Sequence, residues 1–278
     1  FNVTEGGGDS AEVALELMPG NKIRKYDTWH AMGQGATTGS LVVTLEALKE
    51  MHLTPEDIQL IQNDTKTCPD TGMAGASRSL YMDGNATIIA ANKLLAAMRK
   101  EDGTLRTYDE MKAEGIETKY LGRYETNTTP GLCRLDPNTG IGDPTPAFTY
   151  CLNLAEVEVD TKTGKTTVLK FTCVDFVGRI GNIDAVNGQA YSGIMHGIGF
   201  ALKEDYADVK KHANMFGAGT SYIKDVPDDI NLIHIDGAIS DGPFGSSGAS
   251  EAFQASGHCA VLNGIYNACG VRIHEIPA

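Results

Sequence analysis

Four short stretches of the 278-residue chain concentrate the residues that could do chemistry. Gly242-Pro243-Phe244-Gly245-Ser246-Ser247-Gly248-Ala249-Ser250-Glu251 brings one carboxylate from a glycine-serine loop to the opening of an apolar helix. A carboxylate there either interacts with the helix dipole or, if partly desolvated beside an exchangeable proton, serves as a general base. Position alone leaves both open. Gly33-Gln34-Gly35-Ala36-Thr37-Thr38-Gly39 puts side-chain-free backbone ahead of a helix, where exposed N–H groups and a positive dipole end can hold an anion. A tight turn explains the same glycines. The third glycine falls one residue late for a dinucleotide fingerprint.

Gly72-Met73-Ala74-Gly75-Ala76-Ser77-Arg78-Ser79 repeats that arrangement with two hydroxyls and a guanidinium that can meet phosphate oxygens. Serines capping an ordinary helix are the bland alternative. Gly188-Gln189, followed by Gly193, Gly197 and Gly199, places glycines inside a helix at a cost of ~1 kcal/mol each relative to alanine. Something must approach closely there, either another helix or a flat cofactor ring.

Other chemistries lack their residues. Gly164-Lys165-Thr166 resembles the end of a P-loop, but Val159 stands where the first glycine is required. No Gly-x-Ser-x-Gly elbow surrounds Ser246, Ser247 or Ser250. No histidine pair has metal-ligand spacing, so His30 and His196 read as core or surface residues. The cysteines, Cys68, Cys133, Cys151, Cys173, Cys259 and Cys269, form no Cys-x-x-Cys and read as reduced, mostly buried thiols. A net charge of -13 removes the electrostatic basis of nucleic-acid binding, so any phosphate must be gripped locally. The lack of any apolar run near ~18 residues argues against a membrane span, and without a leader the cytoplasm is the expected compartment.

The elements that must position these stretches follow from periodicity. Val13, Leu15 and Leu17 alternate, turn at Pro19-Gly20-Asn21 and resume at Ile23 and Tyr26, predicting a hairpin that leads to Gly33. Leu41, Leu45 and Leu48 predict a helix from Ser40, capped by Thr37, Thr38 or Ser40 itself and stopped at Thr54-Pro55. A strand at Ile58–Ile61 and a long helix after Ser79 follow, the latter with Ile88, Ala91, Leu95 and Met98 on one side. Residues from about Glu101 to Pro146 read as an irregular connection with at most a short helix at Tyr108–Ala113. Strands flank the turn Asp160–Gly164, a helix spans Asp184–Glu204, a strand lies near Leu232–Ile235, and a final helix runs from about Ser250 to Ala268. The organisation expected is a first α/β lobe over 1–110, a connection over 111–147 and a second α/β lobe over 148–278.

Together the motifs make the chain similar to the molybdenum portion of the xanthine oxidase family, most closely bacterial aldehyde oxidoreductases. The resemblance runs from Ser10-Ala11-Glu12 through Gly33–Ala36, Ala74–Arg78, Tyr108-Asp109-Glu110, Asp184–Glu204, Lys210–Ala213 and Asp241–Glu251 to Val271-Arg272-Ile273. It implies an α+β fold, the C-terminal molybdopterin-binding domain of a molybdenum hydroxylase, in two mixed α/β lobes. It assigns Gly33, Gln34, Gly35, Ala36, Ala76, Ser77, Arg78, Ser79, Gln189, Gly248 and Ser250 to the pterin and its phosphate or cytosine dinucleotide tail. Glu251 becomes the catalytic base for oxidising an aldehyde to a carboxylic acid with water as oxygen source. Molybdenum would be held by the pterin dithiolene, without a protein side chain.

The same resemblance implies iron–sulfur clusters, and FAD, on other chains or domains. The first half of the molybdenum portion has no counterpart here, so a partner domain or subunit and an oligomer are expected, and the usual C-terminal tail is shorter. Gly248-Ala249-Ser250 replaces the family's usual Gly-Val-Gly and puts a hydroxyl beside Glu251. Two other readings are a hydroxylase of azaheterocycles such as nicotinate or purines, and a non-catalytic cofactor-binding or assembly paralogue.

Overall fold

The computed structural model describes residues 9–126, 135–143, 145–238 and 241–278. The described residues form two compact units. One takes in the described residues of 1–148, 178–182 and 238–248; the other takes in 149–177, 183–237 and 249–278.

In the first unit, β1 (Ser10–Met18) and β2 (Lys22–Asp27) pair antiparallel across the predicted turn, with Ala14 opposite Tyr26. Gly20 makes that turn at φ 75°. β2 then runs parallel to β3 (Ile58–Gln62), a pairing that needs a crossover, and α1 (Ala36–Ala47) supplies it. The sheet order is β3-β2-β1-β4. α2 (Ser79–Met98) packs on β1 and β4, burying Leu94, Leu95 and Met98 against Leu15, Leu17 and Ile23. α3 (Tyr108–Ala113) is held by the Thr107–Glu110 capping box.

β4 (Lys119–Glu125) corrects the sequence reading, since it lies inside the stretch expected to be irregular and pairs with β1 over seven residues. Gly122 disguised it. A Cβ at that position would lie 2.1 Å from the Ala86 carbonyl oxygen, so only glycine lets α2 sit on the strand. α1 also begins four residues earlier than Ser40. Gly35, in the left-handed region at φ 87°, starts it, and no side chain caps it.

A buried ionic cluster ties these elements together. Lys25 on β2 reaches Asp83 on α2 at 2.8 Å and Asp27 at 3.2 Å, all three side chains being fully buried. Asp27 also accepts from Ser40 of α1 at 2.7 Å and from Gln62 of β3 at 2.8 Å.

The second unit has a three-stranded sheet in the order β5-β6-β7. β5 (Tyr150–Val159) and β6 (Thr166–Phe176) form the predicted hairpin, with a register shift at Glu156/Val157. β7 (Asp229–His234) lies parallel to β6, joined through the crossover helix α4 (Ile183–Leu202). The single final helix of the sequence reading is two, α5 (Ser250–Ala255) and α6 (Gly257–Cys269). They break at Ser256, whose hydroxyl accepts from Asn153 of β5 at 2.9 Å. The thiol reading is corrected too: Cys173 is buried, Cys68, Cys151 and Cys269 are half-buried, Cys259 is exposed, and Cys133 lies outside the described residues. No described helix is long and apolar enough to cross a membrane.

Candidate functional site

In the first unit, the Gly33 loop turns through two left-handed glycines, at φ 103° and 87°, into α1. The Gln34 amide closes this loop on itself, donating to the His30 carbonyl at 2.7 Å and accepting from the Met32 N–H at 2.6 Å. Ala36 is buried as the first residue of α1. Helix starts without side-chain caps present backbone N–H groups and the positive dipole end, and neither α1 nor α2 has such a cap. The serine-capping alternative is therefore not what the structure adopts. Thr28 and Thr71 bond reciprocally at 2.8 and 2.9 Å, joining the segment before Gly33 to the segment before Gly75.

The loop leading to α2 is held in an unusual shape, because Ala76 and Ser77 have positive φ, at 51° and 53°, a conformation uncommon for residues with a Cβ. Arg78 braces it. Its guanidinium donates to both Asp9 carboxylate oxygens and to the carbonyls of Ser10, Thr71 and Met73, engaging all five N–H donors. The donors that the sequence offered to phosphate oxygens are engaged within the protein, where they shape the loop. Ser79 opens α2. Gly248 lies directly against Ser77, where a Cβ would come within 1.7 Å of the Ser77 carbonyl oxygen. Pro243 packs on Gly84, Asn85 donates to the Asp241 carbonyl at 3.0 Å, and Arg179 N–H donates to the Gly245 carbonyl at 2.8 Å. Residues 241–248 are thus anchored on α2 and on the 178–182 segment.

In the second unit, Gln189, Ser192, Gly193 and His196 of α4 and Ser250, Glu251 and Gln254 of α5 line one cavity of about 160 Å³. The α4 residues recur at i, i+3, i+4 and i+7, which puts them on one helical face. Gly193 and Gly197 permit the helices to meet. A Cβ at Gly193 would be 2.5 Å from the Phe253 Cβ, and one at Gly197 would be 2.8 Å from the Gly257 Cα. Another helix thus accounts for these two glycines. Gly188 differs, since nothing lies within 4 Å of where its Cβ would be. Among the described residues no contact explains this helix-interior glycine, which is exposed and does not line the cavity.

His196, Ser192 and Gln254 were not singled out for this site from the sequence. The available signal was the spacing of His196 from Gln189, about two helical turns along the same face. Further along, Asn187 of α4 bonds the His234 ring at 2.8 Å, and that ring bonds the buried Asp175 carboxylate at 2.7 Å. Burial pushes the Asp175 carboxyl up while the His234 ring opposes the shift. Among the described residues no group of three His, Cys, Asp or Glu side chains is placed to hold a metal ion.

The described residues combine helices with a four-stranded and a three-stranded sheet, an α+β arrangement. The chain belongs to the molybdopterin cofactor-binding domain family, whose model matches residues 1–227. It is 40% identical over 272 residues to the aldehyde oxidoreductase of Megalodesulfovibrio gigas, which covers 98% of this chain and 30% of the relative. The crystal structure of the aldehyde oxidoreductase from Desulfovibrio desulfuricans superposes with a TM-score of 0.93 at 42% identity, over 100% of this chain and 30% of that one. A probable hypoxanthine oxidase of Escherichia coli is 28% identical over 262 residues, 88% of this chain and 27% of its own. The chain thus spans about 30% of the length of these relatives.

Proposed function

We propose that these residues are the cofactor-binding part of a molybdenum hydroxylase that oxidises aldehydes to carboxylic acids with water as oxygen source. The observation that carries this reading is the shared cavity of Glu251, Ser250 and Gln189. The similarity to the aldehyde oxidoreductase of Megalodesulfovibrio gigas supports the choice of aldehydes over other substrates. When bound, a molybdenum-carrying pterin would supply the two-electron acceptor, held through its dithiolene.

The chain's own residues then divide the work. Glu251, which lines the cavity from the first turn of α5, would take the proton of the oxygen that attacks the aldehyde carbon. Gln189 offers amide hydrogen bonds to the pterin from α4, and Ser250 offers a hydroxyl at the same cavity. The backbone of Gly33, Gln34, Gly35 and Ala36, and of Ala76, Ser77 and Ser79, presents N–H groups to the phosphate and the cytosine dinucleotide tail. Gly248 and Arg78 keep the serine loop in shape. Iron–sulfur clusters, with FAD where the enzyme uses it, accept the electrons on further domains or subunits of a cytoplasmic oligomer.

The test is Glu251→Gln in the complete enzyme, with molybdenum and pterin measured beside benzaldehyde turnover. The expected result is a loss of ~10²-fold or more in turnover with cofactor content unchanged. An unaltered rate removes Glu251 from the base role, and cofactor binding without any turnover in the unsubstituted enzyme would leave a non-catalytic cofactor-binding module. The likeness to a probable hypoxanthine oxidase motivates one further arm: turnover of xanthine or nicotinate in preference to benzaldehyde would transfer the enzyme to azaheterocycles.

A further inference from the structure

Cys151 of β5 and Cys173 of β6 are 22 residues apart in the chain, yet their sulfurs lie 3.4 Å from each other. The hairpin register explains the meeting. Asn153 stands opposite Cys173 and Asp175 opposite Cys151, so the two cysteines are diagonal neighbours on one face of the sheet. Cys173 is fully buried and Cys151 is half-buried, which leaves one sulfur open to a small reagent and shields the other. The S–H of Cys151 donates to the Asn153 side-chain oxygen at 3.7 Å, so the hydrogen between the two sulfurs is that of Cys173. This bond holds the Cys151 thiol below its ordinary value against the burial and the Asp175 charge that raise it, while the same pairing and burial push the Cys173 thiol up. Among the described residues the other cysteines meet no second thiol: Cys68 and Cys269 each donate to a backbone carbonyl at 3.2 Å, and Cys259 lies 3.4 Å from the His258 ring.

We infer that Cys151 and Cys173 form an oxidation site for a small hydroperoxide, at which Cys151 is the attacking sulfur and Cys173 closes on it as a disulfide. Redox-sensing cysteines combine thiolate character, access and a neighbouring resolving thiol, and these two residues divide those properties between them. The Cys151 thiolate attacks one peroxide oxygen, an S–O bond forms, the O–O bond breaks, and the departing hydroxide leaves as water with the proton that Cys151 gave up. The Cys173 sulfur then attacks the sulfenic sulfur; the S–S bond forms, the S–O bond breaks, and the hydroxyl leaves as water with the Cys173 proton. Two thiols thereby lose two electrons and two protons, and one hydrogen peroxide becomes two waters. The sulfurs close from 3.4 Å to about 2.05 Å, between side chains already turned toward each other. Oxidation also removes the hydrogen that Cys151 donates to Asn153, whose amide holds Ser256 at the break between α5 and α6. The chemistry requires neither pterin nor metal, and holds whichever substrate Glu251 serves.

The experiment exposes the complete, folded enzyme to hydrogen peroxide, blocks remaining thiols, and maps the cysteines by mass spectrometry of unreduced peptides. The expected product joins the peptides of Cys151 and Cys173 with the loss of two hydrogens, and dithiothreitol reverses it. Two variants assign the roles. Cys173→Ser should leave Cys151 as a sulfenic acid that dimedone traps, and Cys151→Ser should slow oxidation of Cys173 by roughly tenfold or more, since a buried thiol is inert without its partner. Both thiols left reduced in the unsubstituted enzyme, a link from either one to a different cysteine, or sulfinic acid at Cys151 without the link overturns the proposal. So does oxidation of Cys173 at an undiminished rate in Cys151→Ser. The first measurement needs no substitution, so a variant that fails to fold leaves the decision to the unsubstituted enzyme.

Discussion

Because all five donors of Arg78 are engaged, Arg78→Lys replaces a planar fork with a point charge that cannot reach the same five acceptors. Hydrogen bonds of a charged group contribute about 1.5–3 kcal/mol each, so the variant should lose on the order of 3 kcal/mol or more in denaturant unfolding of the complete enzyme. Pterin content should fall with it, since Ala76 and Ser77 hold their positive φ only while the brace stands. Gly188 makes the opposite case. With empty space at its Cβ position and no positive φ, Gly188→Ala should stabilise α4 by up to about 1 kcal/mol. Gly188 does not line the cavity that holds Gln189, so the expected outcome is a higher Tm with molybdenum content unchanged. A fall in molybdenum content would mean that a ligand presses on that position.

At the scale of elements, the junction of α4 and α5 depends on two missing side chains. Gly193→Val should cost about 1–3 kcal/mol by overpacking against Phe253, read as a lowered denaturation midpoint. The Lys25 cluster adds a dependence on pH. Burial pushes the Asp83 carboxyl up from 3.8 to about 6, Lys25 opposing and Asp27 adding to the shift, and one of its oxygens has no hydrogen-bond partner. The folded state then holds a proton that the unfolded chain has released. Stability from this group is complete below 3.8 and declines as pH rises to about 6. Asp83→Asn, which stays neutral, should flatten the profile of unfolding free energy across that window; a slope identical to that of the unsubstituted protein would place the titration elsewhere. Elements with strong periodicity, such as the first hairpin, α2 and α4, could be read from apolar spacing. β4 could not, because Gly122 and alternating charges hide a strand whose fit is decided by α2, and the break at Ser256 depends on Asn153, about a hundred residues away in sequence.

For the molecule as a whole, residue type and spacing named the loops but not their neighbours. The glycine-rich stretches at 33–39 and 72–79 announced backbone-lined helix starts, whereas the acceptors of Arg78 are set by the fold and include Asp9, a distant residue in the chain. His196 shares a cavity with Glu251 only because Gly193 and Gly197 let two helices cross, and no pattern local to His196 carries that information. The division into units brings a further consequence. The first unit is interrupted twice, and the segment 238–248 that seats Gly248 against Ser77 is among its last pieces in chain order. On the ribosome the serine loop therefore emerges some 170 residues before the strand of backbone that rests on it. A chain cut anywhere before Gly248 would keep the serine loop but lack the backbone that packs on Ser77.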